Sequence, residues 1–232
     1  MGLVTAALST HGLAAGYGDT AIVHDLDLEV HPGEVVALLG PNGVGKTTAL
    51  LTVAGELPAL GGTVEIAGRV ARDPLHRRAK AGLALVTDDR TVFRQLTVRE
   101  NLALGRGDPE DAIRIFPALD LLRDRRAGLL SGGEQQMLGL GRALAGRPVL
   151  LLADELSLGL SPRIVSTLFA AVRRLADEGA AVLLVEQQIR LVLRICDRGY
   201  VLSQGRVAMS GTAPELLDRA GEIERRYLAA AV

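Results

Sequence analysis

The segment GPNGVGKTT, Gly40 to Thr48, constrains this 232-residue chain more than any other. It fits G-x-x-x-x-G-K-[ST], with Gly40, Gly45, Lys46 and Thr47 at the fixed positions. EVVALLG precedes it, a continuous apolar run ending in glycine, which reads as a strand buried on both faces. A helix is predicted to follow, over about residues 45–54. Strand, glycine loop and helix N-terminus together make a phosphate cradle. The backbone at Asn42, Gly43 and Gly45 can wrap a phosphate closely, and the helix start adds partial positive charge. Lys46 would reach β- and γ-phosphates, Thr47 would ligate Mg²⁺, and Thr48 continues the cradle.

A chain with such a loop needs a parallel sheet with helices on both faces, and the sequence supplies one. AGLALVTDD, RPVLLLADE and AAVLLVEQQ are further continuous apolar runs. SPRIVSTLFAAVRRLADEG is an amphipathic helix with Gly179 beyond its end. AIVHDLDLEV alternates apolar and polar, as a half-buried antiparallel strand does, and Pro32-Gly33 turns the chain after it. GGTVEIAG reads as a short strand. YVLSQGRVAMSG reads as a hairpin about Gln204-Gly205, IRLVLRICDRG as a helix, and the tail after Pro214 as helical. From Phe93 to about Arg147 the pattern turns helical and more charged, with helix starts at Asp108-Pro109 and Ser131. The expected fold is α/β: a mostly parallel core sheet, a small antiparallel sheet, and an inserted helical subdomain at 93–147 between core segments 1–92 and 148–232.

The second half of a nucleotide site lies in VLLLADE. A buried strand from Val149 to Ala153 would deliver Asp154 beside the loop as a hard oxygen ligand for Mg²⁺, largely through water. Glu155 could orient an attacking water or accept its proton; the plainer alternative is an acidic pair ending a strand. In LSGGEQQ, Ser131 and Glu134 form the S-x-x-E capping box. Ser131, Gly132 and Gly133 would also offer a hydroxyl and uncovered N–H groups to an anion. That pocket carries no lysine and is far along the chain from the loop, so the anion is best brought by another subunit.

Composition narrows the partners. A hydrophobic share of 48% supports a large core. A net charge of −1 and an aromatic share of 3%, with no Trp, argue against a nucleic-acid surface. One cysteine, Cys196, excludes an internal disulfide. The N-terminal MGLVTAALST shows no signal-peptide pattern, and no apolar run has the length of a membrane span. Any membrane connection is therefore expected through a partner.

GPNGVGKTT, LSGGEQQ and LLLADE, in that order, resemble the ATP-binding cassette family over essentially the whole chain. The resemblance implies an ATPase in which two cassettes, alike or different, close head to tail on two ATP molecules with Mg²⁺. Ser131 and Gly133 would contact the γ-phosphate held by the partner, and Tyr17 in AAGYGDT would stack on adenine; otherwise Tyr17 merely flanks a turn. SLGLSP, LTVRENLALG and LLVEQQIRLVLRICDRGYVL resemble the smaller ATPase of branched-chain amino acid importers, with relatives serving urea and amides. Membrane permease subunits, a solute-binding protein and the cytoplasmic membrane face follow from that resemblance, with ArgThrValPheArgGlnLeuThrVal at 90–98 as part of the permease dock. The alternatives are a non-transport regulatory cassette or a weakly hydrolytic partner. Three positions depart from the family pattern: Asp88 stands for Gln or Glu as a metal ligand, Leu156 for Pro, and Gln187 for a γ-phosphate-sensing His.

Overall fold

The computed structural model describes residues 5–87 and 92–229. Asp88, the expected third metal ligand, lies outside the described residues. In chain order the strands are β1 Leu8–Tyr17, β2 Thr20–Val30, β3 Val35–Leu39, β4 Gly61–Ile66, β5 Arg69–Val70, β6 Leu83–Val86, β7 Leu150–Asp154, β8 Ala181–Glu186, β9 Arg198–Ser203 and β10 Arg206–Thr212. The helices are α1 Lys46–Ala54, α2 Leu75–Lys80, α3 Val98–Ala103, α4 Pro109–Ile115, α5 Gly132–Ala145, α6 Pro162–Asp177, α7 Ile189–Val192, α8 Ala213–Asp218 and α9 Ala220–Ala229.

Among the described residues these strands form two sheets. The larger runs β10-β9-β3-β8-β7-β6, parallel from β9 to β6, with β10 antiparallel at its edge. The smaller, β2-β1-β4-β5, is antiparallel. Strand periodicity divides the core. Val35, Ala37 and Leu39 face one cluster with α5 and α6, whereas Val36 and Leu38 face another with α1 and the antiparallel sheet. Both faces are covered, so β3 is uniformly apolar, and β7 and β8 are apolar up to their terminal Asp154 and Glu186.

Caps mark the helix starts as the sequence suggests. Asp108 accepts from the Glu110 N–H, with Pro109 at the first turn of α4. Glu134 takes the Ser131 N–H at 2.6 Å, and Ser131 Oγ accepts from the Glu134 N–H at 3.4 Å. The β9–β10 turn puts Gln204 and Gly205 both at positive φ, which suits a tight hairpin.

Two expectations need correction. The buried strand begins at Leu150, not Val149, and takes in Asp154; the Val149 side chain is 61% exposed. Val149 donates to the Gly82 carbonyl just before β6 begins, so it precedes the ladder it was expected to join. IRLVLRICDRG is not one helix. α7 ends at Val192 because Asp197 is drawn into the sheet: its N–H donates to the Val35 carbonyl, and its Oδ2 accepts from the Val35 N–H at 2.8 Å.

Candidate functional site

β3 ends at Leu39 and α1 begins at Lys46, so the phosphate loop spans the gap between them. Gly45 takes φ 102 at the N-cap of α1, a conformation that favours glycine. A Cβ there would also lie 2.4 Å from Val23 Cγ2. Since Gly45 carries no side chain, no cap hydrogen bond covers the N–H groups of the first turn, and that turn holds no acidic residue. Those donors face a small cavity lined by Ile22, Asn42, Gly43, Gly45, Lys46, Thr47, Thr48 and Glu155.

Lys46 is 4% exposed. Its Nζ donates to the Pro41 carbonyl at 3.0 Å and lies 3.7 Å from Glu155 Oε1. Burial pushes its pKa down, and Glu155, Asp154 and Glu186 oppose that shift. Thr47 Oγ1 donates to Asp154 Oδ2 at 2.6 Å. A hydroxyl and a buried carboxylate beside a phosphate loop suit Mg²⁺, which takes few protein oxygens and completes its shell with phosphates and water.

Glu155 leaves the sheet at the end of β7. Its N–H still donates to the Val185 carbonyl at 2.9 Å, and its φ is 46. Its Oε1 accepts from Gln187 Nε2 at 2.6 Å. Adjacent parallel strands thus deliver Glu155 and Gln187 to one point beside Lys46.

The expected site is therefore gathered in part. Asn42, Gly43, Gly45, Lys46, Thr47, Thr48, Asp154, Glu155 and Gln187 converge. Tyr17 is 54% exposed at the β1–β2 turn and does not line the cavity. Ser131, Gly132 and Gly133 open α5, also away from the cavity lining. Gly133 is buried against Ile164 of α6. Ile22 was not expected in the lining; the signal for it is Gly45, whose missing side chain lets β2 approach.

The family model described as ABC transporter matches residues 23–157. The chain belongs to the ABC transporter family. It is 41% identical to the high-affinity branched-chain amino acid transport ATP-binding protein BraG of Pseudomonas aeruginosa, over 90% of this chain and 94% of that protein. It is 34% identical to the lipopolysaccharide export system ATP-binding protein LptB of Escherichia coli, over 96% of this chain and 97% of that protein. The crystal structure of a nucleotide-free ATP-binding cassette from an ABC transporter superposes with a TM-score of 0.84 at 25% identity, covering 96% of this chain and 98% of that one. The chain is thus an ATP-binding transporter subunit that hydrolyses ATP.

Proposed function

We propose that this ATPase drives an importer of branched-chain amino acids or related small amides. The observation that carries the import reading is the 41% identity to BraG across nearly all of both chains. The 34% identity to LptB supports a second reading, an export system, at lower similarity.

In the proposed mechanism the phosphate loop N–H groups and Lys46 bind the ATP phosphates. Thr47 and Asp154 would hold Mg²⁺, which when bound would neutralise phosphate charge. Glu155 orients a water in line with the γ-phosphate and accepts its proton. The supporting geometry is that one Glu155 oxygen already meets both Lys46 and Gln187. Gln187 donates to a γ-phosphate oxygen as a neutral amide, so this contact does not titrate as a histidine would. Ser131 and Gly133, which do not line the cavity of their own chain, complete the site of a second cassette, and Tyr17 packs on adenine.

Among the described residues no helix is long and apolar enough to cross a membrane. The proposed permease seat is the cleft between β6 and α5, bordered by Leu85, Leu104 and Arg142. Beside it Phe93 is 54% exposed with the Arg142 guanidinium 5.4 Å over its ring. On this reading the chain sits peripherally on the cytoplasmic membrane face, and a solute-binding protein supplies the permease. The test is retrieval of the tagged full chain from detergent extract, together with labelled leucine uptake by cells carrying Lys46→Ala. Co-isolated integral membrane proteins and lost uptake are expected. Normal leucine uptake with impaired lipopolysaccharide export would overturn the import reading.

A further inference from the structure

β8 ends in a buried carboxylate, Glu186, which is 2% exposed. Each of its two oxygens accepts from Ser157 of the neighbouring loop, and the Gln187 backbone N–H adds a further hydrogen bond. Ser157 N–H donates to Oε1 at 3.0 Å and Ser157 Oγ donates to Oε2 at 2.7 Å. Ser157 is itself 2% exposed. A buried carboxylate facing a neutral serine is costly, so this pair is a poor device for stability alone. Its directionality is high, because two donors of one residue fix both oxygens.

Its position gives that directionality a use. The β7–β8 ladder ends where the Glu155 N–H meets the Val185 carbonyl. Glu155 then turns to φ 46, which sends the chain away from β8, and Leu156 lacks the fixed φ that a proline would impose. Ser157 and Glu186 rejoin the two segments just beyond that turn. They flank the Glu155–Gln187 contact on both strands: Ser157 lies two residues after Glu155, and Glu186 directly precedes Gln187.

We propose that Glu186 and Ser157 are a positioning pair that holds Glu155 and Gln187 in register for hydrolysis. Both residues are buried, and the pair acts through Glu155. The phosphate loop is carried on β3 and α1, and Glu186 reaches it only as one of three carboxylates that favour the Lys46 cation. The inference rests on Glu155 being the hydrolytic carboxylate.

The test compares phosphate release and nucleotide affinity of the full chain for Glu186→Ala, Glu186→Gln, Ser157→Ala, the Ser157→Ala/Glu186→Gln double variant and Glu155→Gln. Glu186→Ala should lower kcat about 10-fold or more while KM and nucleotide Kd stay within about 2-fold. Glu186→Gln keeps one acceptor for the Ser157 N–H, so it should recover to within about 3-fold of the parent. If Glu186→Ala does not fold, the double variant decides: its loss should be no larger than the greater single loss, because the residues act as a unit. Additive losses, or equal losses in affinity and kcat, would overturn the proposal. Activity lost in Glu155→Gln but intact in the Glu186 and Ser157 variants sinks the pair and leaves Glu155 standing. Full activity in Glu155→Gln sinks the Glu155 assignment and the pair with it.

Discussion

Gln187 Nε2 donates to Glu155 Oε1 at 2.6 Å, and Lys46 Nζ stands 3.7 Å from the same oxygen. Both partners of the carboxylate are groups proposed to bind phosphate. In the proposed mechanism both groups turn to the γ-phosphate and leave Glu155 to a water. Gln187→Ala should therefore lower kcat about 10-fold with KM changed less than about 3-fold, and Gln187→His should restore activity. Steady-state phosphate release checks this.

Lys46→Ala removes the buried cation of the cavity. A charge-assisted contact of about 1.5–3 kcal/mol corresponds to a loss of roughly 10- to 150-fold in ATP affinity. Titration calorimetry checks it, and unchanged affinity would remove Lys46 from the phosphate site.

Burial pushes the Glu186 carboxyl up to about 7, against the lowering effect of the Ser157 hydrogen bonds. A pKa raised on folding means that the native state holds the proton longer. The stability linked to that proton is fully present below about pH 4.5 and is lost as pH rises through about 7. Glu186→Gln carries no such proton. Relative to the parent, its unfolding free energy should improve between pH 5 and pH 8, by an amount up to about 3 kcal/mol. Denaturant melts at the two pH values check the sign; a gap independent of pH contradicts it.

Gly141 of α5 packs on Phe116, where an added Cβ would lie 3.1 Å from the ring. Phe116 is 1% exposed. Gly141→Val should destabilise by about 1–3 kcal/mol through overpacking, and Phe116→Ala by about 3–5 kcal/mol through the cavity it leaves. Urea unfolding measures both.

Elements whose burial is uniform or strictly alternating were legible in the sequence. β3, β7 and β8 are apolar because both faces are covered, and β2 alternates because one face is. β1 was not singled out: its register shifts between Thr10 and Leu13 and again near Ala15, which breaks the alternation. Arg78 on α2 looks like a surface charge, yet it is 9% exposed because carbonyls of Val53, Ala71 and Asp73 take its guanidinium. The loop motif and its acidic counterpart were legible by spacing. Ile22 and the Glu186–Ser157 pair were not, since each depends on a strand neighbour distant in sequence.

In the proposed cycle ATP closes two cassettes, and Glu155 commits the closed pair to hydrolysis. Glu155→Gln keeps the shape of the side chain and removes its proton-accepting charge. Sizing the purified variant with and without ATP and Mg²⁺ tests the claim directly. The expected result is a species of twice the chain mass with ATP and a single chain without it, with the dimer lost on adding Ser131→Arg. A variant that binds ATP fully and remains a single chain would contradict the account.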